Sequence, residues 1–561
     1  MKKLLCVILC LLISCFAITA CNGNNDSGNT NNSDTGNGTV SSQDNNNTGD
    51  NKPTSDGGNS ENTQPTTSST GGNIQNPPTS SEDKGNTSKE DKPTPSSQKP
   101  TTSTGGDKPT SSSEQGTSSN GTTGGDYPQP ANDDLYLSPT GNDSNSGSKE
   151  NPLYSLSVAV SRITAGHTIY MMPGTYSYDS RINLFSSGTE GNPITIQAYN
   201  WGKVILDFTN QPYGHNATTH VGIYLKGNYW KIQGLEICHA GDNGIKVEGS
   251  HNYIGRCVLH HNGDSGIQLG FGHDFSKSGY GSSNNGEYCA YNTVENCDSY
   301  LNYDFDNWGD ADGFACKMHN GKGNQFIGCR AWSNCDDAWD LYETDYSVVL
   351  VDCWAWDSAK INDFKNDPYF SNPQYLAKKS ALKPVKAPSG IGNGNAIKLG
   401  GNGTGGSSKG VHYATNCVAF NCDKSSSNKG FDENSHGDGV VLKNCVAWDN
   451  GYNYMFENGG AKTSFTNCIS FYTNTRGTSY NKPNRLAGEC GGSGSLISNC
   501  NFKFDGGDLA HLQPYLTAND FISLKVEDAK APRQADGSLP NNGFAKLKTT
   551  SSFYGKGMGR Q

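Results

Sequence analysis

The sequence predicts an all-β solenoid of the parallel β-helix type, and two internal repeats carry that prediction. Gly222-Ile223-Tyr224-Leu225, Gly244-Ile245-Lys246-Val247 and Gly266-Ile267-Gln268-Leu269 superpose at a period of 22 residues. Each is a short strand with apolar side chains at alternate positions, so that one face points to a core. Ile232 and Ile254 keep the same offset, as do Leu235 and Cys257. A second ladder runs through Asn296-Cys297, Gly328-Cys329, Asp352-Cys353, Asn416-Cys417, Asn444-Cys445, Asn467-Cys468 and Asn499-Cys500. It reads as one step per coil, with the Cys packed inward and the preceding residue at a turn. A period in the low twenties with several short strands per unit is the signature of a solenoid. No helical spacing separates the strands, which favours a β-helix over a leucine-rich repeat.

The elements follow in order. Residues 1–20 have the layout of a secretory signal, with Lys2 and Lys3 ahead of an apolar run. The run ends in Ile18-Thr19-Ala20-Cys21, which resembles a bacterial lipobox. That resemblance implies a lipidated Cys21 and an extracellular, cell-surface lipoprotein, attached to the membrane only through that anchor. Residues 21–130 are mostly Ser, Thr, Asn, Gly, Pro, Asp and Lys. Such a segment buries too little surface to offset its conformational entropy and is expected to be a disordered linker. The β-helix domain is assigned to residues 131–505. Its start, Leu135-Tyr136-Leu137-Ser138-Pro139-Thr140-Gly141-Asn142-Asp143, resembles the opening of many bacterial right-handed β-helices. Leu156 to Ile163 is expected to be a short amphipathic helix closing the end of the solenoid, since terminal repeats need a cap. Residues 506–561 lose the pattern and are expected to pack as an extension on the outside of the helix. Fourteen of the 18 cysteines lie beyond the lipobox. In a secreted chain that number suggests disulfides, but one Cys per coil favours small buried hydrophobes in a stack. Cys289 and Cys490 are the candidates for pairing.

The chemistry sits on the coils. Alignment of the strands by their apolar pairs produces two outward columns: Asn243, Ser265, Asp312, Asp337 and Asn395 in one, Lys246, Gln268, Ala315, Asp340 and Lys398 in the other. Neighbouring coils are about 4.8 Å apart. Asp312, the pair Asp337 and Asp340, and Lys398 therefore fall on three successive coils, with Asp336 beside them. Carboxylates that close repel one another unless a cation neutralises them. All-oxygen ligation without an interleaved His points to Ca²⁺ before Mg²⁺. The bland alternative is a set of turn aspartates bonded to their own backbone, and it fits Asp310 best. Lys398 is the candidate base, because a nearby dication lowers a lysine pKa and makes the neutral amine usable. Lys317, at the end of the Asp312 strand, is its main rival.

At Ala311-Asp312-Gly313-Phe314-Ala315-Cys316-Lys317, Asn334-Cys335-Asp336-Asp337-Ala338-Trp339-Asp340 and Lys398-Leu399-Gly400-Gly401-Asn402, the chain resembles the family 9 polysaccharide lyases, the pectate lyase group with a right-handed parallel β-helix. The resemblance implies a calcium site on Asp312, Asp336, Asp337 and Asp340, with Lys398 as the base. It implies β-elimination on polygalacturonate, the unesterified form of pectin, giving 4,5-unsaturated products. The net charge of −11 opposes an acidic polymer at long range, which argues for a cation as adaptor. A monomer without nucleic-acid partners is expected. Trp308, Tyr342 and Tyr346 are candidates to stack on sugars, whereas Trp339 aligns with core-facing positions. Arg476, Lys317 and Lys462 are candidates to meet other uronate carboxylates. The long stretches Gly270–Tyr288 and Asp357–Asn393 are expected to shape the groove.

Two other functions compete. Polygalacturonase-type hydrolases share the β-helix and use paired aspartates, and Asp336-Asp337 with His436-Gly437 and Ile397-Lys398 invites that comparison. The Ile-Lys element here precedes the His-Gly element, the reverse of that family's order, and there is no Asn-Thr-Asp motif. The second is a surface β-helix that binds pectin without turnover.

Overall fold

The computed structural model describes residues 133–560 apart from 215–218, 273–284, 307, 381–391, 402–408, 423–427, 457–462, 474–483, 487–495, 506–507 and 512–514. The signal, the lipobox, the linker, Cys490, Arg476 and Lys462 lie outside the described residues. Within them the chain winds into a parallel β-helix whose coils contribute strands to three sheets. The first has 12 strands, from Leu135–Leu137 to Leu496–Ser498. The second also has 12, starting at Ile182–Leu184, and the third has 10, from Gly174–Ser177 to Ile469–Phe471. Pairing is parallel throughout except at the end of the second sheet, where Asp508–His511 runs antiparallel to its neighbours.

The core lies between the sheets and is built from inward columns. Ile223, Ile245, Ile267, Phe314, Trp339, Ile397, Phe431 and Tyr454 stand in register along the second sheet, all buried. The glycine ahead of each 22-residue motif has a steric reason. A Cβ on Gly244 would sit 2.7 Å from the Gly266 carbonyl, and one on Gly266 would sit 2.1 Å from Ser299 Oγ. The Leu156–Arg162 helix closes the N-terminal end and buries Leu156 and Ala159 in the core.

The Asn-Cys ladder marks the turn between the first and third sheets. Asn296, Gly328, Asp352, Asn416, Asn444, Asn467 and Asn499 all have φ between 51° and 62°. That left-handed conformation favours Gly and Asn, which is why they dominate the position. The following cysteines are buried and unpaired; Cys353 Sγ, for example, donates to the Phe326 carbonyl at 3.5 Å. No disulfide occurs among the described residues.

Two further ladders are polar. Asn292 Oδ1 accepts from the Asn252 backbone N–H and Asn324 Oδ1 from that of Asn292, both at 3.0 Å. Asn262, Asn302 and Asn334 repeat the arrangement at a second corner. Each buried amide satisfies the coil beneath it, where an orphaned donor would cost about 1–3 kcal/mol.

Outside the third sheet, Tyr300, Trp332, Trp356, Phe420, Trp448 and Phe471 stack in register with ring centroids 4.4 to 5.8 Å apart. Leu516, Phe521, Phe544, Leu547 and Phe553 of the C-terminal segment cover part of this column. Arg330 and Arg533 both bind the buried Asp298, at 2.7 and 2.6 Å. The 357–393 stretch contains two short helices, Ile361–Asn366 and Pro373–Lys379. They pack Phe364, Phe370 and Tyr375 against Tyr303, Phe305 and Trp308.

The left-handed turn makes a specific demand. Asn444→Val should lower stability by about 1–2 kcal/mol, while Asn444→Gly should cost far less. Urea unfolding of both variants checks this; equal losses would assign the cost to the side chain's contacts rather than to its φ.

Candidate active site

The acids are carried by the second sheet and the turns that lead into it. Phe314–Cys316, Trp339–Asp340 and Ile397–Lys398 are successive strands. Ala315 pairs with Asp340 and Asp340 with Lys398, extending the column from Lys246 through Gln268. Because alternate residues point to opposite faces, the inward Trp339 and Ile397 force Asp340 and Lys398 outward. Asp312 and Asp337 precede their strands by two residues, in the turns. There the Ser265 hydroxyl donates to Asp312 Oδ2 at 3.1 Å, and the Asp337 N–H donates to Asp312 Oδ1 at 3.2 Å. The Asn395 N–H donates to Asp337 Oδ1 at 2.8 Å, and the Asn393 N–H to Asp336 Oδ1 at 2.6 Å. Gly392 admits this approach, since a Cβ there would lie 2.1 Å from the same Asp336 oxygen.

Carboxylate oxygens of Asp312, Asp336 and Asp337 lie within 4.8 Å of one another. Asp340 is joined to them through the lysines. Lys317 Nζ lies 2.6 Å from Asp312 and 3.4 Å from Asp340, and donates to the Asp310 carbonyl at 3.3 Å. Lys398 Nζ lies 3.2 Å from Asp337 Oδ2 and 3.3 Å from Asp340 Oδ1. All four acids and both lysines are buried, whereas Asp310 is exposed.

Burial pushes the carboxyls of Asp312, Asp336 and Asp337 upward, and the neighbouring carboxylates add to the rise against the pull of the lysines. Burial works against the Lys398 ammonium. Asp340, Asp337, Asp336 and Asp312 outweigh it and hold its pKa well above the ordinary lysine range. Lys317 is raised likewise, by Asp312 first and then Asp340.

With all four carboxyls ionised, the two ammonium groups leave a balance of two negative charges at one buried patch. Asp337 Oδ2 and Asp340 Oδ1 accept no hydrogen bond, although both face Lys398. Hard oxygen donors, orphaned oxygens and a deficit of two charges fit a divalent cation such as Ca²⁺.

Other candidates fall elsewhere. Trp308 is buried in the aromatic cluster of the insertion, because the 361–379 helices fold over it, and it is closed to sugars. Trp339 is packed in the core. Tyr342 is half-buried, its ring 5.4 Å from Lys398 Nζ, and Tyr346 packs beside Tyr288. Lys317 is enclosed by acids instead of facing the groove. His436 stacks on His412 at 4.4 Å and its Nε2 donates to the Gly410 carbonyl at 2.7 Å, a structural role rather than a partner for Asp336 and Asp337. Sequence reasoning missed the backbone donors of Asn393 and Asn395, whose only signal is their place three residues and immediately before the Ala396-Ile397-Lys398 strand motif.

A model of the family described as "Pel9A-like, right handed beta helix region" matches residues 135–481. Pectate lyase L of Dickeya dadantii (strain 3937) is 33% identical over 432 residues, 75% of this chain and 85% of that protein. The chain belongs to the Pel9A-like family. Pectate lyase PEL9 of Emericella nidulans is a further relative, 29% identical over 73% of this chain and 91% of its own. The crystal structure of pectate lyase Pel9A superposes with a TM-score of 0.55 and 32% identity, covering 74% of this chain and 90% of that one. The coils of this Pel9A-like chain are accordingly right-handed.

The charge balance is testable. Lys317→Met leaves the four carboxylates facing one ammonium and should lower cation-free stability by about 3–5 kcal/mol. Urea unfolding in the presence of a chelator measures it, and addition of Ca²⁺ should recover more stability in the variant than in the parent.

Proposed function

We propose that the chain is a calcium-dependent pectate lyase that cleaves polygalacturonate by β-elimination, with Lys398 as the base. As a member of its family it is a polysaccharide lyase. The observation that carries the finer reading is the position of Lys398 Nζ, 3.2 and 3.3 Å from Asp337 Oδ2 and Asp340 Oδ1, two carboxylate oxygens that accept no hydrogen bond.

Asp312, Asp336, Asp337 and Asp340 would hold the Ca²⁺, which when bound draws charge from a uronate carboxylate and acidifies the C5 proton beside it. The rest falls to the chain itself. With the acids uncompensated, Lys398 stays an ammonium and cannot accept a proton. With them compensated, burial is the dominant influence left on its amine, and burial favours the neutral form. Lys398 Nζ then takes the C5 proton, the C5–H electron pair becomes the C4=C5 double bond, and the C4–O4 bond breaks. The departing oxygen takes a proton from water. Backbone N–H groups of Asn393, Asn395 and Asp337 keep the acids oriented, so little reorganisation is needed during the reaction. We also propose a secreted bacterial enzyme tethered through Cys21, acting as a monomer.

Ultraviolet absorbance of the unsaturated product on polygalacturonate tests the proposal. Chelation should abolish the signal and Ca²⁺ restore it. Lys398→Ala should lose about 10²–10⁴-fold in turnover with little change in unfolding when Ca²⁺ is present to compensate the acids, and the activity of the parent should rise into the alkaline range as Lys398 gives up its proton. Chelator-insensitive release of reducing ends without absorbance would instead support hydrolysis. A variant that kept full turnover would remove Lys398 as the base.

A further inference from the structure

A second set of metal-ligating side chains lies on the third sheet. Its strands Leu235–Cys238 and Val258–His260 pair in parallel with Cys238 opposite His260. His239 and His261 follow those strands with φ of 65° and 56°, and this repeated left-handed turn gathers the imidazoles at one corner of two adjacent coils. Cys238 Sγ and one ring nitrogen each from His239 and His260 lie within 4.8 Å of one another. His261 Nδ1 is 2.7 Å from His260 Nδ1.

The surroundings are those of a prepared site. His239 Nδ1 lies 2.8 Å from Asp207 Oδ1 and 2.9 Å from Thr209 Oγ1. His260 Nε2 lies 3.3 Å from Glu236 Oε1. Metal-bound imidazoles characteristically carry such a carboxylate on the other nitrogen, which sets tautomer and ring orientation. The insertion covers the cluster: Tyr369 stacks on His239 at 4.3 Å, and Asp367 approaches His261 Nε2 at 3.4 Å.

We propose that Cys238, His239 and His260 form a structural zinc site, its fourth position facing His261 and Asp367, that pins the 361–379 insertion to the coil beneath. One sulfur and two imidazole nitrogens select Zn²⁺ over the hard cations suited to the aspartates. Binding converts the Cys238 thiol, now donating to the Leu206 carbonyl, to a thiolate, and its proton leaves to solvent.

Cobalt serves as the probe. The full chain, stripped with chelator and titrated with Co²⁺, should develop a thiolate-to-cobalt charge-transfer band that saturates at one equivalent, and Zn²⁺ should bleach it. Cys238→Ser should lose the band, and Asp207→Asn should weaken cobalt affinity by about 10–100-fold. His260→Gln provides the test if the serine variant fails to fold, with affinity lost while the sulfur band persists at saturation. Asp337→Asn should leave the titration unchanged. No band in the parent, a band that survives Cys238→Ser, or one that disappears in Asp337→Asn would each overturn the proposal.

Discussion

Everything in this structure rests on the in-register handover of backbone hydrogen bonds from one coil to the next. A parallel ladder with no offset places residue n of one coil over its equivalent in the next, at the strand spacing of about 4.8 Å. Side chains distant in sequence thus become stacked neighbours, as Lys246, Gln268, Ala315, Asp340 and Lys398 do. The same condition makes errors severe. A slip of one residue would exchange Trp339 with Asp340 and drive a carboxylate into the core. The inward columns of Ile, Phe, Trp and Tyr therefore do more than stabilise, because they set the register that aims the acids.

The corners show how that register is maintained where the backbone must turn. Left-handed residues ahead of each buried Cys bend the chain from the first sheet to the third, and two asparagine ladders satisfy the corner N–H groups that no strand can reach. A solenoid buries these groups coil after coil, so a side chain that supplies its own backbone-like amide is the economical answer. Stacked aromatics on the outside of the third sheet extend the principle, each pair adding about 0.5–1.5 kcal/mol beyond its area.

Much of this was legible in the sequence. The 22-residue Gly-Ile repeat and the Asn-Cys steps placed Asp312, Asp337, Asp340 and Lys398 on successive coils because strand period and coil spacing are both rigid. The fates of Trp308 and Lys317 were not legible. Trp308 is removed from the groove by the 361–379 helices, which obey no coil repeat and whose docking depends on tertiary packing of Phe364 and Phe370. Lys317 looks like an exposed strand-end lysine until Asp312 of its own coil and Asp340 of the next are seen to close around it. The asparagine ladders left a trace in the recurrence of Asn252, Asn292 and Asn324 ahead of successive strands, but Asn before a strand is also ordinary turn chemistry.

The contrast between the two lysines carries the mechanistic argument furthest. Both are buried and both are held charged by the same acids. An ammonium has three donors, and Lys317 places all three, on Asp312, Asp340 and the Asp310 carbonyl. Lys398 makes no hydrogen bond to the carboxylate oxygens it faces; among the described residues it meets them through charge, with the Tyr342 ring on its flank. Compensating that charge removes what keeps Lys398 protonated, while Lys317 keeps the directional bonds that favour its ammonium. One cation event can therefore free one lysine and leave its neighbour fixed, which is what a site needs if a single amine is to act as base while another holds the acids in place.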